Sequence, residues 1–217
     1  KNEVGKHNLF NQLKIKLKKK RINFKIITFK SKEIKKVYSF RPLKPKVITV
    51  KISKSIFINS IYLFYKLFKL NPNHLIIGGY GYVENWVGLI YGIIFFKKKT
   101  IWTGASKTST LTKNIFYFFL KSFFIKKFDN AIVYGTKALF YLRELGFKKK
   151  ILLAKNISDI EFFKNIHVKK NSYSKKPTFI YCGRLVKHKG IEYLLETFQR
   201  FDNSKYELLI AGDGPLK

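Results

Sequence analysis

The chain has 217 residues, 46% of them hydrophobic, so it is long enough and apolar enough to bury a core. It carries 45 Lys and Arg against 12 Asp and Glu, a formal net charge of +33, which excludes an acidic or neutral surface. The single cysteine, Cys182, excludes a disulfide framework or a thiolate metal cluster within the chain, and its place in an apolar run predicts a core residue.

The positive charge has two interpretations. It is typical of a protein that binds nucleic acid or an anionic membrane. However, nearly all the basic residues are lysines, and Lys, Ile, Phe, Asn and Tyr are all abundant, as in proteins of AT-rich genomes. A nucleic-acid reader usually relies on arginine, whose fork makes bidentate contacts. Codon bias is therefore the preferred interpretation, and it remains compatible with attraction to anionic lipid.

In the first half of the chain, apolar periodicity and Gly or Pro breaks predict alternating helices and strands. Leu9, Leu13 and Leu17 share one helical face, although the alternation over residues 13–17 also permits a strand. The predicted elements are a helix over 8–20, strands over 23–29 and 47–52, a helix over 55–70, a strand over 74–77, a helix over 82–96, a strand over 99–102 and a loop over 103–110.

The second half continues this alternation, which predicts an α/β fold with mostly parallel sheets. A polar stretch without periodicity predicts a linker between two domains. The predicted elements are helices over 111–127 and 136–145, strands over 130–134 and 150–154, and a strand–helix–strand unit over 178–217. The predicted domains are residues 1–167 and 178–217, joined by a linker at 168–177.

Two lysine- and aromatic-rich helices, over 55–70 and 111–127, leave two readings open. They suit packing on a sheet, and they also suit a membrane interface. Every apolar stretch is shorter than the roughly 18–20 residues that span a bilayer. None of the four histidines has metal-ligand spacing, which predicts no metal site.

The strand that ends at Cys182 is followed by Gly183 and Arg184, and an amphipathic helix is predicted to begin at Lys189 and Gly190. Glycine lets a ligand approach the backbone, arginine offers a bidentate fork, lysine adds a point charge, and a helix N-terminus adds free N–H groups. The pattern predicts a diphosphate clamp, against the alternative of a solvated basic loop. Gly212 and Gly214 follow the next strand. Their pattern is equally compatible with a loop that faces a ligand and with a tight turn that has no role in binding.

These residues resemble the donor-binding domain of GT-B glycosyltransferases, in the large retaining family 4. The family pattern is Gly-Arg-Leu-x-x-x-Lys-Gly, then a helix and a strand, then Gly-x-Gly-Pro. The matching positions are Gly183, Arg184, Leu185, Lys189, Gly190, Gly212, Gly214 and Pro215. The resemblance implies two Rossmann-like domains, the second one truncated here. It also implies that Arg184 and Lys189 hold the diphosphate of a nucleotide-sugar, with Gly212 and Gly214 in the donor-side loop.

The preceding residues are similar to the family more loosely. Residues 128–135 and the element Asn156-Ile-Ser-Asp159, followed by Phe162 or Phe163, match its pattern, except that Ile157 replaces a glycine. The histidine that some members carry near the second acceptor loop is missing. The resemblance places the acceptor-side loops at Gly5, Gly79, Tyr80, Gly104 and Ser106.

The catalytic residues stay unassigned, because the family's Glu-x7-Glu motif does not occur in these residues. Glu192 and Glu196 are four apart on one helix and are expected to be solvated, and Asp159 and Glu161 are not expected to form a catalytic pair. The chain begins at Lys1, contains no Met and ends three residues after Gly214. These features predict an internal fragment that is inactive by itself.

The function expected from the resemblance is hexosyl transfer from a nucleotide-sugar to a saccharide or lipid-linked acceptor, with retention and with neither a cofactor nor an obligatory metal. The expected setting is polysaccharide or cell-envelope synthesis, in the cytoplasm or on the inner face of the plasma membrane, without a nucleic-acid partner. The alternatives are a GT-B phosphorylase or epimerase, which shares the clamp, and a basic module that binds RNA or anionic lipid.

Overall fold

The computed structural model describes residues 4–29, 46–50, 55–109, 114–155 and 176–217. The chain divides into two compact units, Lys1–Ile160 and Glu161–Lys217. All but the last two residues of the expected linker at 168–177 lie outside the described residues, so the domain limits stay a prediction.

Helices and strands alternate along the first unit. The bounds are α1 (Val4–Lys19), β1 (Lys25–Phe29), β2 (Lys46–Val50), α2 (Ile56–Leu70), β3 (His74–Ile77), α3 (Val83–Ile94), β4 (Lys98–Thr103), α4 (Ile115–Lys126), β5 (Asn130–Val133), α5 (Thr136–Glu144) and β6 (Lys150–Leu153). The second unit contains β7 (Thr178–Cys182), α6 (Ile191–Phe198) and β8 (Glu207–Ala211). The helix predicted at 8–20 is confirmed, and the strand alternative for that segment is wrong.

All strand pairs in the described residues are parallel. β1 pairs with β2, the strands β3-β4-β5-β6 form one sheet in chain order, and β7 pairs with β8. The predicted α/β class with parallel sheets is therefore confirmed. In the β3–β6 sheet and in the β7–β8 pair, a helix connects each strand to the next, as parallel strands require.

Side-chain caps fix the starts of two helices. The Ser55 hydroxyl accepts a hydrogen bond from the Ile58 N–H at 3.4 Å, at the start of α2. The Asn114 side chain accepts one from the Phe116 N–H at 2.8 Å, so α4 starts at Ile115 rather than at the predicted residue 111. Asn71, with φ +41°, ends α2 in the left-handed conformation that asparagine tolerates.

The core of the first unit lies on one face of the β3–β6 sheet. Ile77, Ile101 and Ala131 are aligned across β3, β4 and β5, and they point to that face. Leu89 of α3 and Phe124 of α4 pack against it. Together with α5, these helices form one layer over the sheet. The same buried cluster also contains Phe128, Val133, Tyr141, Leu142, Leu145 and Phe147.

Helix α2 extends this layer by packing on α3. Leu63 and Leu67 form a second buried cluster with Tyr91, and Ile27 of β1 packs against it. The packing interpretation of the lysine- and aromatic-rich helices thus holds for one face of α2 and α4, while their opposite faces are exposed. Within the part of the chain that the structure describes, no helix has the length and hydrophobicity to cross a membrane.

The second unit packs one face of its two-stranded sheet. Phe179 contacts Phe198 and Phe201, with ring centroids 6.0 and 5.6 Å apart, and Tyr206 at 6.0 Å. The other face carries Ile180, which is 70% exposed, and Cys182, which is also exposed. The prediction that Cys182 is a core residue is wrong, because no described element covers this face.

Candidate functional site

Two loops leave the carboxyl ends of β7 and β8 side by side. Cys182 and Ala211 are aligned in the parallel ladder, and the Gly183 N–H donates to the Ala211 carbonyl at 3.0 Å. The next residue on each strand is therefore a glycine, Gly183 on one and Gly212 on the other. The structure thus brings the two predicted motifs to the edge of a parallel sheet where α/β folds bind ligands.

Leu185 joins the two loops. Its N–H donates to the Asp213 carbonyl at 3.0 Å, and its carbonyl accepts from the Leu216 N–H at 3.2 Å. The Leu185 side chain is only 6% exposed. A buried side chain and two backbone hydrogen bonds therefore fix the position of the residue that follows Arg184.

Glycine is required where these loops meet. A Cβ at Gly212 would collide with the carbonyl oxygen of Gly183, and a Cβ at Gly214 would collide with the backbone of Leu185. Backbone atoms cannot move aside as a flexible side chain can. The glycine pattern thus serves the contact between the two loops, a role that the sequence analysis missed.

Arg184 presents an unengaged guanidinium. Its side chain is exposed and makes no hydrogen bond or ion pair with the described residues, while its carbonyl accepts from the Tyr181 hydroxyl at 3.1 Å. The nearby Asp213 carboxylate is used elsewhere, since it accepts from the Gly214 N–H at 3.0 Å and lies 3.8 Å from the Lys217 ammonium. The backbone is therefore held while the fork stays available for an anion.

Lys189 ends the short 3-10 helix Lys187–Lys189. Its N–H donates to the Val186 carbonyl at 2.9 Å, and its exposed ammonium has no partner among the described residues. Gly190 then adopts φ +70°, a left-handed conformation that favours glycine, and α6 begins at Ile191. The predicted helix start at Lys189 is thus corrected by two residues, because the chain first makes a 3-10 turn.

No side chain caps α6, so the N–H groups of its first turn remain available to solvent or a ligand. Glu192 lies in that turn, and it is exposed, as is Glu196. Two available cations and a helix N-terminus on a fixed loop can bind an anion such as a diphosphate.

In the first unit, the loop after β3 is held from within α3. The Asn85 amide donates to the Gly78 carbonyl at 3.3 Å, and the Trp86 indole donates to the Tyr80 carbonyl at 3.3 Å. Gly79 has φ +84°, which explains a glycine at this turn. Gly79 and Tyr80 do lie in a loop at the carboxyl end of a strand, as predicted.

The loop after the neighbouring strand β4 holds Gly104 and Ser106. The Thr103 hydroxyl accepts from the Ala105 N–H at 3.1 Å, and Ser106 Oγ lies 3.1 Å from Thr108 Oγ1. A Cβ at Gly104 would collide with the ring of Tyr134, which follows β5. Since β3, β4 and β5 are parallel neighbours, their loops leave the same sheet edge, and Tyr134 is an addition that the sequence analysis missed.

Two other predicted positions have different outcomes. Gly5 lies in the first turn of α1, so its placement in a loop is wrong. The element over residues 156–163 lies outside the described residues. Among the residues that the structure describes, no group of three His, Cys, Asp or Glu side chains could hold a metal ion.

Comparison with known proteins bears on the second unit. Among curated proteins, no relative matches the chain. Residues 162–217 match the family model of glycosyl transferases group 1, and this range contains both interlocked loops with Arg184 and Lys189. The second unit is therefore similar to the glycosyl transferases of group 1.

Proposed function

We propose that the protein transfers a hexosyl unit from a nucleotide-sugar to a saccharide or lipid-linked acceptor, with retention. The observation that carries the proposal is a pair of cations, Arg184 and Lys189, that have no partner among the described residues. They follow β7 on a loop fixed by Leu185, within the range that matches the family. The rest of the proposal, including the GT-B architecture and independence of a metal, rests on the family resemblance.

In this proposal the Arg184 fork binds the diphosphate in a bidentate manner, and Lys189 adds a point charge. Both cations stabilise the negative charge that grows on the departing nucleoside diphosphate, which lowers the barrier to transfer. The glycines and the N-terminus of α6 let the diphosphate approach the backbone. Gly79, Tyr80, Gly104 and Ser106 are the proposed acceptor-side residues, and the protein acts in cell-envelope or polysaccharide synthesis at the inner face of the plasma membrane.

The test is calorimetric titration of the intact protein with uridine, guanosine and adenosine diphosphates. We expect one of them to bind, and Arg184→Ala to weaken it about 10- to 100-fold, the effect of losing a charge-assisted hydrogen bond. Arg200→Ala is the matched control, because Arg200 is also an exposed arginine but lies beyond the end of α6. Absence of binding by all three nucleotides, or equal loss in both variants, would refute the donor site.

A basic module that binds RNA is the second candidate, and the net charge of +33 favours it. It predicts affinity for RNA that falls steeply with salt and that survives Arg184→Ala. Salt-dependent RNA binding without nucleoside diphosphate binding would select this candidate. A phosphorylase or epimerase would bind the same diphosphate and is distinguished by its products.

A further inference from the structure

Helix α2 exposes a long apolar stripe on the side opposite its buried residues. The exposed fractions run from 73% for Phe57 to 38% for Tyr62, and the stripe consists of Phe57, Ile58, Ile61, Tyr62, Tyr65 and Phe68. Five of these side chains, all except Phe68, line one shallow and open depression of the helix surface. Exposed apolar surface of this extent marks an interaction site.

Helix α4 exposes a second stripe. Phe116, Phe119 and Phe123 are 66%, 64% and 57% exposed, and Leu120, between them, is 38% exposed. Their spacing places them on one side of the helix, while Phe124 and Ile125 on the other side are fully buried. The residues of this stripe therefore do not take part in packing against the sheet.

Both stripes belong to the same helical layer. α2 packs on α3 through Leu63, Leu67 and Tyr91, and both α3 and α4 pack on the sheet face that carries Ile101. α3 itself exposes Ile90 and Ile94, at 47% and 53%. The outer side of this layer thus presents apolar side chains from three consecutive helices.

Lysines border the two stripes. The ammonium groups of Lys66 and Lys69 lie 5.1 and 5.4 Å from the ring centres of Tyr62 and Tyr65, and that of Lys127 lies 4.9 Å from the ring centre of Phe123. Neither α2 nor α4 contains an acidic residue. An apolar stripe with cations beside it is the pattern of a helix that lies in an anionic membrane interface.

We propose that the outer faces of α2 and α4 dock on an anionic lipid bilayer, with the Phe, Ile and Tyr side chains below the headgroups and the lysines among them. At 15 and 12 residues the two helices are too short to span the roughly 20-residue hydrocarbon core, which fits an in-plane orientation. Charge selects this occupant over a second copy of the chain, since a symmetric contact would bring the same lysines together.

The loop after β3 lies beside α4, on the buried side of that helix rather than on its exposed stripe. The Lys121 ammonium of α4 lies 5.6 Å from the Tyr80 ring centre, and the Tyr80 ring lies 6.5 Å from that of Phe124. The loop therefore lies against α4. The proposed function places the acceptor at this loop. If that is so, docking on a bilayer favours a lipid-linked acceptor, because such an acceptor lies in the same bilayer.

The experiment is sedimentation of the intact protein with vesicles of phosphatidylglycerol and phosphatidylcholine, compared with vesicles of phosphatidylcholine alone. We expect binding to the anionic vesicles to exceed binding to the neutral ones. The double variant Phe57→Ser/Phe116→Ser should lose about tenfold or more in partitioning. Lys66→Glu/Lys69→Glu should lose at least about fivefold for each lysine.

Tyr193→Ser is the matched control, since Tyr193 is an aromatic residue that is 72% exposed on α6, outside this layer. It should change partitioning less than about twofold. Phe57→Leu/Phe116→Leu removes the same two rings but keeps the stripes apolar, so it should retain most of the binding. If the leucine variant also lost binding, the loss would point to a folding defect rather than to the loss of apolar surface.

Three outcomes would overturn the proposal: equal binding to neutral vesicles, unchanged binding in the serine and glutamate variants, or a concentration-dependent dimer that the serine variant abolishes. The donor site is tested separately, because the stripe variants should still bind nucleoside diphosphate and Arg184→Ala should still bind vesicles.

Discussion

The Leu185 N–H donates a 3.0 Å hydrogen bond to the Asp213 carbonyl, which ties the loop after β7 to the loop after β8. Arg184 lies directly before Leu185, so this bond helps to fix the backbone from which the Arg184 side chain extends. An anion site built this way is organised before its ligand arrives, which limits the conformational cost of binding.

Gly212→Ala should disrupt the contact between the two loops. The new Cβ would collide with the Gly183 carbonyl, and the required backbone shift should destabilise the second unit by about 1–3 kcal/mol and weaken diphosphate binding. Urea denaturation and calorimetry measure both effects. Gly135→Ala is the control, since a Cβ there meets no atom within 4 Å and its φ is extended. Equal behaviour of the two variants would contradict the interlocked loops.

Arg184→Lys distinguishes a bidentate fork from simple charge. The variant keeps the positive charge but loses the planar pair of donors, so nucleoside diphosphate affinity should fall about tenfold and remain above that of Arg184→Ala. Calorimetric titration of both variants makes the comparison. If the lysine variant binds as tightly as the original protein, Arg184 acts only as a point charge.

Phe124 and Phe123 are neighbours with opposite environments, fully buried and 57% exposed. Phe124→Ala removes ring contacts with Trp86 at 4.5 Å and Phe128 at 5.2 Å and should lower the free energy of unfolding by about 3–5 kcal/mol. Phe123→Ala should cost less than about 1 kcal/mol in the absence of membrane. Urea denaturation decides, and a similar loss in both would mean that α4 packs differently.

Asp129 should make the first unit sensitive to acid. Burial raises the pKa of its carboxyl, but the Lys99 N–H at 2.8 Å and the ammonium groups of Lys99 and Lys149 outweigh burial and lower the pKa. The native carboxylate therefore binds protons less readily than the unfolded one. Its contribution to stability is present at neutral pH and is lost as the pH falls below about 4 towards the native pKa.

Urea denaturation as a function of pH measures this effect, and Asp129→Asn is the test variant. Stability of the variant should decline less steeply below about pH 4, while at neutral pH it should be lower than that of the original protein. An identical pH profile would exclude Asp129 as a source of the acid sensitivity.

Cys182 should react in the native protein. Its thiol is exposed on the uncovered face of the β7–β8 sheet, so a soluble disulfide reagent should modify it without prior unfolding. Mass spectrometry at several urea concentrations measures the rate. A rate that rises only on unfolding would indicate that another segment or molecule covers this face.

Most elements of the fold follow from sequence patterns, because continuous apolar runs, glycine breaks and caps are local signals. The strand over His74–Ile77 was predicted with its observed bounds, and its short apolar run is closed by four residues rich in glycine. Helix ends were less accurate. At α6 the chain makes a 3-10 turn before Gly190, and periodicity does not distinguish such a turn from the start of an α-helix.

The candidate site could be predicted only in part. Arg184 and Lys189 were found because Gly-Arg and Lys-Gly pairs are local patterns. The roles of Leu185 and Gly212 could not be found, since they depend on atoms that approach from another loop. Cys182 was misplaced because an apolar run signals a strand without telling which of its faces is covered.

The parallel order of β3, β4, β5 and β6 also bears on how the chain folds. Ile77 pairs with Ile101 and Thr103 with Val133, so the paired residues are far apart in the sequence. The entropic cost of bringing the two strands together must therefore be met before any contact between them forms. Formation of such non-local pairs is slow compared with helix formation. During synthesis, α2 and α4 are therefore expected to exist as helices before their sheet is complete, with both their inner and outer apolar faces open to chaperones or to the bilayer.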